Sequence, residues 1–166
     1  MIYQFLTLRF PNEKYLLNRS LDCYDISYFL ILVIIMKMEE IIEGLYENLP
    51  YYSTIGMDIK EIDDGKAIIE LQMKKELSQN GMIHGGVLAS MIDASCACAA
   101  FSAANFVGFV TTIDLQVSYL KPVSKGMVVA SAKCLRAGKN VLFCESKIKN
   151  EDGELVCIGT SQLLRI

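Results

Sequence analysis

VLASMIDASCACAAFSAA, the run from Val87 to Ala104, is small or apolar throughout except for one charge, Asp93. Its apolar positions fall on every side of a helical wheel, and a helix apolar all round is buried at the centre of a domain. A carboxylate there costs several kcal/mol unless it is paired, and no Lys or Arg stands within two helical turns of it. Asp93 is therefore a candidate functional group. Just before the run stands the chain's only histidine, His84, followed by Gly85 and Gly86. Nine residues of helix are about 13 Å of rise and roughly half a turn out of phase. If His84 and Asp93 serve one site, the simplest arrangement takes them from different subunits. The plainer reading is a loop histidine, a glycine turn and an aspartate that pairs with something distant.

The chain of 166 residues suffices for one domain with a sizeable core. A net charge of −3 and a pI near 5.2 come with no basic stripe interleaved with aromatics, which argues against a nucleic-acid partner. The six cysteines show no disulfide framework and read as reduced core thiols, which places the protein in a reducing cytoplasm. Cys96 and Cys98, two apart on a helix, face different ways, and one histidine cannot complete a zinc site, so no metal is expected.

Residues 1–37 are set apart as an N-terminal extension, and the domain spans 38–166. The apolar run ISYFLILVIIM (Ile26 to Met36) is too short to cross a membrane, which takes about 20 residues. It is also a poor secretory signal, with Asp22 and Asp25 before it and Met38-Glu39-Glu40 after it. A docked element, a weak membrane-surface anchor and translated upstream sequence are the three readings. Met36 and Met38 each stand before a good helix start, which favours the third, with little order before residue 36. A chain shortened to 38–166 is then expected to keep fold and turnover.

Around the buried helix the elements fall in order. Met38 to Leu49 carries apolar residues at Ile41, Ile42, Leu45, Tyr46 and Leu49, the spacing of an amphipathic helix that Pro50 ends. Ile55 to Ile62 and Gly65 to Met73 form a hairpin about Asp63-Asp64, and Lys74 to Ile83 is a loop. Four more strands follow as a meander: Phe109 to Leu120, Met127 to Ala137, Val141 to Asn150 and Glu154 to Ile166. One apolar helix among such strands means an α+β domain, an antiparallel sheet of five to six strands curled around one long central helix.

This order, with GMIHGGVLASMIDASCACA (Gly81 to Ala99), TTIDLQVSYLKPV (Thr111 to Val123), Ala137-Gly138-Lys139 and the Asp-Gly-Glu-Leu-Val turn from 152 to 156, resembles the hotdog fold. More narrowly it resembles the PaaI-like acyl-CoA thioesterases, over about residues 38 to 166. The resemblance implies hydrolysis of acyl-CoA without a cofactor, in a homodimer or homotetramer with the active site at a subunit interface. It also implies the residue roles. Gly85 and Gly86 at the helix N-terminus would hold the thioester oxygen by backbone N–H groups, where the helix dipole favours an oxyanion. Asp93 of the other subunit would attack the carbonyl carbon or activate water for attack. The small residues Ala89, Ser90, Cys96 and Ala97 leave room around it. His84 would orient the loop and polarise the thioester, and Thr112, with Thr111 as its rival, would hydrogen-bond the acid or the water.

One position departs from the family pattern. Ser78 stands where relatives carry Asn or Gln, so either Ser78 acts in a weaker form or Asn80 or Gln79 fills in. The phosphates of coenzyme A would meet basic side chains, with Lys121, Arg136 and Lys139 as candidates, although charges at strand ends are more often solvated surface. Two other classes compete. A non-catalytic acyl-CoA-binding hotdog module would bind thioesters without turnover, and a hotdog enoyl-CoA hydratase would hydrate them without releasing thiol.

Overall fold

The computed structural model of the protein describes residues 37–166, so the readings made of Ile26 to Met36 lie outside the described residues. Helix α1 covers residues 37–48 and packs Ile41, Ile42, Leu45 and Tyr46 against the core. Pro50 does not simply end it. It opens a second helix, α2 (Pro50–Ile55), at whose first position the missing proline N–H would be unpaired anyway. Helix α2 stops at Gly56 in the left-handed region, and so Ile55 belongs to it and not to the first strand.

Strands β1 (Met57–Asp63) and β2 (Lys66–Gln72) pair as the expected hairpin. Asp64 and Gly65 both take positive φ in its turn, as the favoured two-residue hairpin loop requires. The segment read as a loop holds a 3₁₀ turn (Lys75–Leu77) and a small ribbon, β3 (Ser78–Gln79) with β4 (Met82–Ile83), folded about Asn80-Gly81. Helix α3 follows (Gly85–Ala103), then β5 (Val110–Tyr119), β6 (Met127–Ala137), β7 (Val141–Asn150) and β8 (Leu155–Arg165).

The six long strands form one antiparallel sheet in the order β1-β2-β6-β7-β8-β5. Only β6, β7 and β8 are a meander. β5 lies at the far edge beside β8, and β2 pairs with β6, so the four-strand meander expected from the turns is corrected. Turn signals report only which strands follow each other closely. Nothing local reveals that β5 pairs with a strand two elements later.

Helix α3 lies against all six strands and supplies Leu88, Met91, Ile92, Cys96 and Ala99 to the core. By length and composition alone it could cross a membrane, but here the sheet wraps it. Its seat on β8 depends on Gly159, where an added Cβ would lie 2.6 Å from both the Gln116 carbonyl oxygen and the Ile92 Cγ2. Gly159→Ala is therefore expected to push α3 off the sheet and destabilise the protein by ~1–3 kcal/mol, the usual range for overpacking. A thermal melt checks this, and an unchanged midpoint would mean that the helix can shift without loss.

Candidate active site

Asp93 sits half-buried near the middle of α3, and its Oδ1 accepts a hydrogen bond of 2.7 Å from Thr112 Oγ1 on β5. The carboxylate is thus not the lone charge that the helix alone suggested, and its partner is Thr112, the residue that the resemblance implied for the acid or the water. That partner comes from the sheet and not from the helix. The β5–β8 register shifts between Thr112 and Asp114, leaving Ile113 as an extra residue. Bulges of this kind re-aim side chains beside them. Thr111, the rival candidate, is exposed and makes no such bond, although it lines the same cavity.

That cavity, about 600 Å³, lies between α1, α2, α3 and β5, with Leu45, Tyr52, Ala97, Phe101 and Phe109 among its walls. Tyr52 is a member that the sequence reading missed. Burial, reinforced by the neighbouring Cys98 and Asp93, raises the pKa of its phenol, so it remains a neutral hydroxyl. Burial likewise pushes the Cys98 thiol up to about 12. Both groups are therefore uncharged at neutral pH, and Asp93 and Thr112 provide one polar end of a largely apolar cavity that Glu40, Asn48 and Thr111 also line. The only available signal for Tyr52 was its place one turn after the first helix, which does not distinguish it from Tyr51.

At the start of α3, His84 is the N-cap. Its Nδ1 accepts the Gly86 N–H at 2.9 Å and its carbonyl accepts the Val87 N–H at 2.9 Å. The histidine is therefore an acceptor at Nδ1, and one of the two glycine donors is already engaged. The Gly85 carbonyl accepts a 3.0 Å bond from the hydroxyl of Tyr119 at the end of β5, a second residue that the sequence reading missed. These groups border a separate cavity of about 430 Å³ that also touches Gln79, Asn80 and Lys121.

Of the residues in question at the family's Asn or Gln position, Asn80 and Gln79 reach this cavity. Ser78 does not, because its hydroxyl donates to the Lys75 carbonyl at 2.6 Å and is turned into the 3₁₀ turn. Lys121 is at the rim but is paired with Glu154. Arg136 and Lys139 line neither cavity, and the β6–β7 turn lies at the opposite end of the strands from Lys121. Within one chain, then, His84 and Gly85 border one cavity and Asp93 with Thr112 the other. No group of three or more His, Cys, Asp or Glu suited to a metal occurs among the described residues.

Residues 80–157 match the family profile described as the thioesterase superfamily. A candidate esterase of Saccharolobus solfataricus is 33% identical over 114 residues, covering 66% of this chain and 81% of the relative. The 1,4-dihydroxy-2-naphthoyl-CoA hydrolase of Listeria monocytogenes is 28% identical over 107 residues, 64% of this chain and 87% of the relative. In structure, the PaaI protein from the phenylacetic acid degradation operon of E. coli superposes with a TM-score of 0.70 at 23% identity, over 75% of this chain and 89% of that one. With a six-stranded antiparallel sheet wrapped on one central helix, as in the hotdog fold, and these matches across its core, the chain belongs to the thioesterase superfamily.

Proposed function

We propose that the protein hydrolyses acyl-CoA thioesters to the free acid and coenzyme A, at a site completed by two subunits. The observation that carries this is the Asp93–Thr112 pair at the polar end of an apolar cavity, while the helix N-terminus borders a different one. An acid and an oxyanion donor held apart in one chain suit a partner that supplies the missing half. The edge strand β5 supports the same reading. Among the described residues its backbone is unpaired on one side, and Ile113 and Tyr119, with Phe109 just before the strand, are 54%, 53% and 62% exposed. Such an edge invites pairing with a second copy.

In the proposed reaction the thioester oxygen lies at the α3 N-terminus of one subunit, against the N–H groups of Gly85 and Gly86 with the helix dipole behind them. Asp93 of the other subunit takes a proton from water, whose oxygen adds to the carbonyl carbon. The tetrahedral oxyanion collapses, the C–S bond breaks, and coenzyme A leaves as the thiolate, which then gains the proton. Direct attack by Asp93 would form a mixed anhydride that water then opens. Label found in the Asp93 carboxyl after a single turnover in ¹⁸O-water would establish the anhydride route with water opening it at the Asp93 carbon, since the general-base route puts the label only in the released acid. Thr112 fixes Oδ1 and leaves Oδ2 for the reacting atom. The pantetheine arm runs out past Asn80 and Tyr119, with Lys121 near its phosphates, and residues 38–166 hold everything that the reaction uses.

The test is a panel of acyl-CoA substrates assayed for free thiol, with one thiol expected per acid formed. Consumption of an enoyl-CoA without thiol release would make the protein a hydratase, and binding without turnover would make it a binding module. Thr112→Val is expected to lower kcat at least about tenfold, the scale of one hydrogen bond to a charged group. Thr112→Ser should restore most of it. Equal rates in both variants would mean that Thr112 only packs.

A further inference from the structure

We infer that the cavity between α1, α3 and β5 receives the acyl group, that it is built for a bulky apolar acyl group of about ten carbons, and that Gly44 and Phe106 set its depth. The inference rests on the hydrolase reading above and extends it to the substrate class.

One stripe of α3 supplies the axis. Asp93, Ala97 and Phe101 are spaced four residues apart, hence stacked on one helix face, and all three line the cavity. The carboxylate is at one end, a small residue leaves the middle open, and an aromatic ring stands about 12 Å further on, roughly the length of a ten-carbon acyl chain. A methylene takes about the room of a water molecule, ~30 Å³, so ten carbons fill about half of the enclosure and leave space for the thioester. The facing walls are mainly Ile41, Leu45, Leu49 and Phe109, with Glu40 and Asn48 also on the α1 side, and the apolar members offer an acetyl group little and a large apolar group a great deal.

Two features of the walls run against their local backbone preferences. Gly44 lies inside α1, where glycine is the poorest ordinary helix former, and it lines the cavity. Among the described residues a Cβ added there meets nothing within 4 Å, so none of them requires the side chain to be missing. Phe106 holds φ of 58°, following Asn105 at 56°, a left-handed pair that side chains other than glycine rarely adopt. The Phe106 N–H donates to the Phe101 carbonyl at 3.0 Å, and the two rings meet edge to face with centroids 5.4 Å apart. The unfavourable backbone thus keeps an aromatic ring at the far end of the stripe. This is where strain at a ligand clamp belongs.

The experiment compares kcat/KM for acetyl-, butyryl-, decanoyl-, 2-naphthoyl- and palmitoyl-CoA in the wild type, Gly44→Leu and Phe106→Gly. The wild type is expected to favour decanoyl- or naphthoyl-CoA over acetyl-CoA by at least about a hundredfold, since each buried methylene is worth several-fold. Gly44→Leu, which replaces glycine by a good helix former, should lower the decanoyl-to-butyryl ratio at least tenfold. Phe106→Gly suits the left-handed backbone, opens the far end and should raise the palmitoyl-to-decanoyl ratio. Decyl-CoA, a thioether that cannot be hydrolysed, is titrated in parallel by calorimetry against ethyl-CoA. If no thioester is turned over while decyl-CoA still binds preferentially and Gly44→Leu abolishes the preference, the hydrolase reading fails and the pocket assignment stands. If all thioesters are turned over with ratios that neither substitution moves, the assignment is overturned and the hydrolase reading survives.

Discussion

Asp93→Asn is expected to lower acyl-CoA turnover by at least about a hundredfold and to leave the protein folded, the loss typical of removing a general base or nucleophile. Asparagine still offers an oxygen to the Thr112 hydroxyl at the 2.7 Å position, so the change removes charge and basicity while preserving the contact. Asp93→Ala should be as inactive. Alanine is the better helix former and removes a half-buried charge, but it deprives Thr112 of its acceptor, and these terms offset to within ~1 kcal/mol. The bond from β5 thus withdraws the gain in stability that a lone buried carboxylate would predict. Steady-state rates and a thermal melt together decide. A variant that melts several degrees lower and keeps its rate would make Asp93 a structural anchor and remove the hydrolase reading's central residue.

Mixing two dead proteins should restore a live one. Gly85→Pro deletes one oxyanion donor at the first helical position, where proline is well tolerated, and the extended His84 before it (ψ 136°) is compatible with a following proline. It is expected to lower turnover about a hundredfold or more. Unfolded together with Asp93→Asn and refolded, it forms mixed dimers in which one of the two shared sites is intact. Random pairing in a two-fold assembly then returns about a quarter of the wild-type rate. Rates that merely average the two variants, or a chain that sediments as an active monomer at micromolar concentration, would show that each subunit works alone.

Much of this architecture was written in local pattern. The charge-poor run before and after Asp93 identifies α3 because burial on all sides leaves no polar face to encode. Strands β6 and β7 match the readings of Met127 to Ala137 and Val141 to Asn150 because Gly and Asp-Gly turns bound them. What was not legible is non-local. The edge position of β5 and the bulge at Ile113 depend on which distant segments meet, and the Thr112–Asp93 bond was implied by the resemblance alone and not by local pattern. Pro50 shows a different limit, since one residue type both stops helices and starts them. The site divides in the same way. His84, Gly85 and Asp93 stood out by composition, whereas Tyr52, Tyr119 and the apolar walls of the cavity beside Asp93 are ordinary residues until the fold brings them together.

The bond from the Gly86 N–H to His84 Nδ1 bears on the arrival of substrate. In the resting protein that donor is not waiting in water. It is occupied by the fold itself, as if by a placeholder. A thioester oxygen that claims it must evict the imidazole, so binding exchanges one hydrogen bond for another and the ground state gains little from it. An anionic oxygen, which accepts more strongly than a neutral ring nitrogen, wins the exchange outright. The helix terminus would then discriminate by competition: indifferent to the substrate as it enters, and committed to it only as charge builds on the oxygen.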